Sequence, residues 1–195
     1  MTTVKQLSAA SKALLFTLFC FFAISANAQI EGAHLFSKGL SANGFGGFLH
    51  IGAGINDADE VGGEFGLYYF GSHGQHIAIA PLLASYRHTL DGSGAGFYVE
   101  PFAGYSFGGT DIQKLDAGGN PVYTSSGSEV DQKVNGPTVG TGAGYIIPSA
   151  SFPLNIGLRY AHIFVPSGDP SQNILSLRIS WSLSVGRRFS ASIGQ

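Results

Sequence analysis

Few side chains in this sequence are of kinds that act on a substrate, and their spacing decides among several chemistries. His73 and His76 stand three apart in a short polar stretch. A zinc site wants three or four ligands, so two histidines alone read as solvated. Asp57, Asp59 and Glu60 could offer oxygens to a hard cation, although a polar turn accounts for them without one. Gly44-Phe45-Gly46-Gly47 has the glycine density of a phosphate-cradling loop, but no helix follows to complete such a site. What remains is a set of charges set singly into apolar surroundings: Glu64, Arg87, Glu100, Arg159 and Arg178. An isolated buried charge is very costly, so these five must either face water or pair with one another.

The elements carrying them are alternating. In Phe97–Phe107, the set Phe97, Val99, Pro101, Ala103, Tyr105 and Phe107 is apolar, whereas Tyr98, Glu100, Phe102, Gly104 and Ser106 are mixed. Farther on, Leu175, Leu177, Ile179, Trp181 and Leu183 oppose Ile174, Ser176, Arg178, Ser180 and Ser182, and Leu154, Ile156, Leu158 and Tyr160 oppose Asn155, Gly157, Arg159 and Ala161. By the same parity Glu64, Arg87 and Glu100 fall on the mixed face, with His50 as a further candidate. A half-buried strand of a soluble protein turns its mixed face to water. A strand of a membrane barrel turns its apolar face to lipid and fills a narrow interior with the mixed one.

Seven runs are evident: 45–55, 61–70, 76–87, 96–107, 138–147, 154–164 and 173–183. Most lie near the roughly 9–11 residues that a tilted strand needs to cross a bilayer. Turn chemistry rich in Gly, Asn, Asp, Ser and Pro separates them, and one connection, residues 108–137, is far longer than the rest. Membrane barrels keep short turns on the periplasmic side and long loops outside. Seven strands would put the long loop on the wrong side. An eighth near Gly32–Leu40, with Lys38 close to a rim, restores the pattern and makes the turns at 56–60, 89–95 and 148–153 periplasmic. The fold class is therefore all-β, a closed antiparallel eight-stranded transmembrane barrel of up-and-down meander type. Two carboxylates and three guanidiniums inside it predict a lumenal ion-pair plug with no open channel.

The N-terminus supports export. Lys5 and Lys12 precede the apolar run Ala13–Ile24, and Ala26-Asn27-Ala28 supplies the small residues that a signal peptidase reads. The run is shorter than the roughly 20 residues of a spanning helix. Residues 1–28 are thus expected to be a cleaved signal and 29–195 the barrel domain, with a short tail at 184–195. Cys20, the single cysteine, leaves with the signal, so neither a disulfide framework nor thiol chemistry is expected. Charged residues are 11% of the chain and aromatics 12%, with 29 glycines. No later segment approaches a spanning helix, so crossing a membrane must use strands. A formal net charge of −2 with six histidines gives no basic footprint for nucleic acid. Tyr68, Tyr69, Tyr105, Tyr145, Tyr160 and Trp181 suit an interfacial aromatic girdle.

The order of these motifs resembles the small eight-stranded outer-membrane β-barrel proteins of Gram-negative bacteria, in particular the porin-like β-barrel domain of Bacteroidota type. Ala80–Tyr86, Phe97–Tyr105, Gly142–Tyr145 and Gly157–Tyr160 look like that family's fourth to seventh strands, around a long third outer loop. The resemblance implies location and architecture rather than chemistry. Such barrels end on an aromatic residue read by the barrel-assembly machinery, whereas here Ser184–Gln195 continues past Trp181, so either Phe189 closes the last strand or the tail is an extension. Gly157-Leu158-Arg159-Tyr160-Ala161-His162 also resembles the strand bearing the catalytic histidine of outer-membrane lipid A deacylases. That family places a serine two residues on, where this chain has Phe164, and an acid near Ser176, where Asp169 is the nearest carboxylate. His162 is accordingly expected to be a rim histidine, and the chain not to be an enzyme.

The expected role is that of an outer-membrane structural or surface-interaction barrel, acting through its loops and above all through 108–137. Alternatives are a binding or transport barrel for a small ligand at the outer rim, a deacylase-like hydrolase, and a soluble lipid carrier. In the last, the apolar faces would point inward and Glu64, Glu100, Arg87, Arg159 and Arg178 would be solvated. No cofactor or metal is expected. Expected partners are outer-membrane lipid and lipopolysaccharide, the assembly machinery during biogenesis, and an extracellular partner reached by the loops, with no nucleic acid and a monomeric barrel.

Overall fold

Alternation of period two dictates extended chain, and the computed structural model describes residues 24–38, 40–72, 74–114, 116, 118–148, 153–166 and 169–182 in that form or in its connections. Eight strands follow in order: β1 (Ile24–Ser37), β2 (Leu40–Gly54), β3 (Asp59–Ser72), β4 (Gln75–Thr89), β5 (Gly96–Thr110), β6 (Gly136–Ile147), β7 (Leu154–Ile163) and β8 (Gln172–Ser182). Each pairs antiparallel with the next, and β1 pairs with β8, closing the barrel. Closure removes the sheet edges, so backbone N–H and C=O groups find partners within the wall.

The seven expected runs all form strands, several of them longer than the sequence suggests. The largest correction is at the start. The strand expected at Gly32–Leu40 runs instead from Ile24 to Ser37, and Leu40 already opens β2. The turn there is so short that two alternating segments of opposite parity lie almost end to end, which blurs the period seen in sequence. Gln29, Glu31, Ala33 and Leu35 are buried, whereas Ile30 and Phe36 are exposed. Lys38 sits in the turn and is exposed. Ile24–Ala28, part of the expected leader, pairs with Leu49–Ala53 of β2, and cleavage before Gln29 would leave 29–37 as the strand. Residues 1–23 with the apolar run, and 183–195 with Phe189 and the tail, lie outside the described residues.

The two faces separate completely. Leu49, Leu67, Leu82, Leu158, Leu175 and Leu177 point outward and are exposed, while Glu64, Glu100 and Arg178 point inward and are at most 1% exposed. The soluble-carrier alternative, which requires the opposite arrangement, is overturned. Aromatics gather toward the two ends of the outer wall. Phe97 packs edge-on against Tyr145 at the end bearing the 55–58 and 90–95 connections, and Phe45 with Tyr69, and Tyr105 with Phe107, lie at the other.

Inside, size is managed by glycine. A Cβ on Gly66 would lie 2.2 Å from a ring atom of Phe48, so the bare backbone of β3 is what admits that ring. Phe48 then meets Tyr68 edge-on at 4.6 Å, so Tyr68, expected in the outer aromatic girdle, is instead buried inside the barrel because it shares the inward parity of Glu64. The outer half of the interior is an apolar cluster that includes Leu35, Phe48, Phe70, Ile77, Ile79, Ile163 and Ile174.

Candidate functional site

Beneath that apolar cluster the inward charges of six strands meet. Arg159 on β7 donates from Nη1 to Glu64 on β3 at 2.6 Å and to Glu31 on β1 at 2.9 Å. Arg178 on β8 lies 2.9 Å from Glu100 on β5 and 3.5 Å from Glu64, and its Nη2 donates to the Tyr98 hydroxyl at 3.1 Å. Arg87 on β4 closes on Glu100 at 2.5 Å and reaches Glu60 at 3.6 Å, while Glu60 takes His50 Nε2 at 2.9 Å. A chain of hydrogen bonds and ion pairs thus runs from His50 and Glu60, near the end bearing the 55–58 connection, to Glu31 beneath the apolar layer. All five residues singled out from the sequence belong to it, and so does His50.

The sequence reading missed Glu31, the third fully buried carboxylate, and assigned Glu60 to a polar turn, whereas it pairs inward with His50 and Arg87. Glu31, Glu64 and Glu100 balance Arg87, Arg159 and Arg178, so the buried core of the network is neutral. That balance is what makes dense burial tolerable, since an unmatched charge in low dielectric would be severely destabilising. The missed signal was the alternation Gln29, Glu31, Ala33, Leu35, hidden by the misplaced first strand. Neutral groups complete the coordination: Tyr68 donates its hydroxyl proton to Glu31, Ser176 donates to Glu31 at 2.5 Å, and Tyr98 donates to Asn155 at 2.8 Å. Arg159 lies over the Phe102 ring at 4.2 Å and Arg87 over Tyr98 at 4.9 Å, geometries in which the ring quadrupole attracts the cation. Between network and apolar layer a cavity of about 10 Å³ is lined by Tyr68, Phe102, Ser106, Thr138, Arg159 and Ser176 among others, roughly the space one water requires.

The long connection is shorter than expected, 111–135, because β5 runs on to Thr110 and β6 starts at Gly136. It is cross-linked by its own backbone: Lys114 N donates to Val130 O, Val122 N to Lys114 O, and Gln132 N to Ile112 O. Asp169, in the β7–β8 connection, accepts from Lys133 N at 3.0 Å and lies 2.7 Å from Lys114 Nζ. Val134 is buried in the apolar cluster. The loop is therefore anchored over the mouth at three points.

The remaining sequence candidates separate. Asp59 accepts from Tyr86 and Asn56 and contacts His88, while its neighbour Glu60 turns inward. Among the described residues no group of three or more His, Cys, Asp or Glu is arranged to hold a metal. His73 lies outside them, and His76 stacks on Tyr69 at 5.5 Å. His162 lies with Nδ1 2.8 Å from Asn173 Oδ1 and its ring 4.4 Å from Phe164, so a phenyl ring occupies the place where a hydroxyl nucleophile would be needed. Ser176, at the sequence position of the expected acid, faces the lumen.

No protein-family model matches the chain, and no curated protein matches its sequence. Solved structures do match. Neisserial surface protein A (NspA) aligns with a TM-score of 0.55 at 18% identity, over 80% of this chain and 95% of that one. The attachment invasion locus protein Ail of Yersinia pestis aligns with a TM-score of 0.55 at 12% identity, over 82% and 97%. The same Yersinia protein in complex with the heparin analogue sucrose octasulfate aligns at 0.51. At these identities the likeness is one of architecture: the chain has the eight-stranded closed-barrel fold of small outer-membrane proteins.

Proposed function

We propose that the chain is an integral outer-membrane barrel with a closed lumen, acting as a structural or surface-interaction protein through its outer loops, especially 111–135. The observation that carries this reading is inverted polarity, with balanced ion pairs inside and a continuous belt of Leu, Ile, Val and Phe outside. Such a belt far exceeds the apolar patches of soluble monomers and suits lipid. The network below, the apolar layer above it and the anchored loop support a plug over a pore. The loop, tied down yet rich in exposed polar groups, suits recognition better than gating.

The motif order favours the porin-like domain of Bacteroidota type as the finer family. Outer-leaflet lipid and lipopolysaccharide would contact the wall, the assembly machinery would act during biogenesis, and an extracellular partner would meet the loops of a monomeric, non-enzymatic barrel. NspA is named a surface protein and Ail an attachment invasion locus protein; here a surface role rests on this chain's own loops. Cell fractionation followed by gel mobility with and without boiling tests the location. The expected result is an outer-membrane band that shifts on heating, and a soluble periplasmic band with no shift would refute the reading. Planar-bilayer recordings test the plug, and a large stable conductance would sink it.

A further inference from the structure

The outward-facing residues near the loop end differ between the two flanks of the wall. On β5 and β6 they are Tyr105, Phe107 and Val139. From β7 through β8 and β1 to β4 they include His162, Asn173, His34, Asn43 and His76, beside the rings of Tyr160, Phe36, Phe45 and Tyr69. Two of these form one unit used twice. His162 stands directly opposite Asn173, with Nδ1 2.8 Å from Oδ1, and His34 stands directly opposite Asn43, with the same atoms 2.7 Å apart. In each, the ring donates from Nδ1 to the asparagine oxygen of the next strand. That leaves Nε2 as the nitrogen still open to a ligand, with only a 3.4 Å contact to Ser41 at His34. Asn173 joins the units by donating to the backbone oxygen of Phe36 on β1 at 3.2 Å. Beyond Asn43 the register continues through Gly71 to His76, so a third imidazole lies in the row with a residue lacking a side chain between them.

We infer that this histidine–asparagine seam binds the phosphorylated headgroup of an outer-leaflet lipid. The inference rests on the membrane reading above, since only in a bilayer does this height of the outer wall meet headgroups. A protonated imidazole donates a charge-assisted hydrogen bond from its free Nε2 to a phosphate oxygen. Lys38, exposed in the β1–β2 turn, adds a cation at the same edge. Asp111, which accepts from the His76 backbone at 2.6 Å, is the carboxylate beside the row. Phe36 stacks on His34 and Phe164 packs against His162, each two residues nearer the loop end than its histidine. Tyr160 and Leu175 lie exposed on the bilayer side of the seam, where interfacial and apolar side chains suit the start of the acyl chain. The flank on β5 and β6 has the rings without the imidazoles, which makes the site one-sided.

The test uses the purified barrel in neutral detergent, with heat-shifted gel mobility recorded for every sample. Lipid retention is measured by native mass spectrometry against dioleoyl phosphatidic acid and dioleoyl phosphatidylcholine. The native chain should retain phosphatidic acid preferentially. The variant His34→Gln/His76→Gln/His162→Gln keeps polar side chains at all three outward positions and should lose about 100-fold of that preference, roughly fivefold for each of three cations at a membrane surface, with phosphatidylcholine unchanged. Equal retention by the variant, or displacement of phosphatidic acid by an equal concentration of inorganic phosphate, would overturn the inference while leaving the barrel reading standing. Absence of the heat shift in the native chain would instead overturn the barrel reading itself.

Discussion

Arg178 on β8 and Glu100 on β5 stand 2.9 Å apart across the lumen, although neither strand neighbours the other in the wall. The contact is made through the barrel interior, so it closes only when all eight strands have closed. Arg178 is completely buried, and Glu100 is shared with Arg87. Removing one partner strands the other in low dielectric. Glu100→Gln should destabilise the folded barrel by about 3–5 kcal/mol, the usual penalty for breaking a buried pair, read as a lower urea midpoint for loss of the heat-shifted form. The double variant Glu100→Gln/Arg178→Met should cost less than the two single changes combined. Additive losses would mean that the two residues act independently.

Tyr68 links the charged and apolar layers. Its ring packs in the outer cluster while its hydroxyl donates to Glu31. Tyr68→Phe keeps the ring and removes that donor, so it should cost about 1.5–3 kcal/mol, the range for hydrogen bonds to charged groups. No change in unfolding midpoint would show that Ser176 and Arg159 satisfy Glu31 unaided.

Glycine positions on the two faces should respond oppositely to alanine. A Cβ on Gly144 would lie 2.4 Å from Ile156 O and 2.5 Å from the Tyr98 hydroxyl, whereas one on outward-facing Gly47 meets nothing within 4 Å. Gly144→Ala should destabilise by about 1–3 kcal/mol through overpacking, and Gly47→Ala should be neutral or slightly stabilising because the unfolded chain loses freedom. Parallel unfolding curves of the two variants decide the point, and equal effects would refute the assignment of faces.

The loop tip around Asp116 carries a pH dependence. Its carboxylate accepts from Asn120 N at 2.9 Å and Gly118 N at 2.8 Å, and the hydrogen bonds from Asn120, with that from Gly118, hold its pKa below the ordinary 3.8. A depressed pKa means that the local order is fully present above the ordinary value and fades as pH falls from there through the lowered one. Amide exchange at Gly118 and Asn120 should therefore remain slow down to about pH 4 and accelerate only in stronger acid. Asp116→Asn should remove most of that acid dependence, and acceleration setting in well above pH 4 would contradict it.

Much of the architecture was legible in order. Alternation in segments such as Leu154–Tyr160 fixes which residues share a face, because successive side chains of a strand point to opposite sides. The great length of one connection fixes strand parity, because long loops gather on one side of a membrane barrel. The five charges were legible for the same reason, since each lies on the mixed face of its strand. Glu31 was not, because a near-absent turn between Ser37 and Leu40 places opposite parities side by side and masks the period.

The sequence by itself determined that there are two unlike faces, that Glu64, Arg87, Glu100, Arg159 and Arg178 share one of them, and that the chain alternates through strands with one dominant loop. It could not determine which face is inside, since the same alternation serves a soluble carrier with its polarity reversed. Only closure of β1 on β8 decided that, by fixing the shear that brings six strands' charges within hydrogen-bonding distance. It also decided the neutral balance completed by Glu31, the apolar layer above it, and the paired histidines on the outer wall. All of these are relations between residues far apart in the chain, set by the register of a closed sheet rather than by any local pattern.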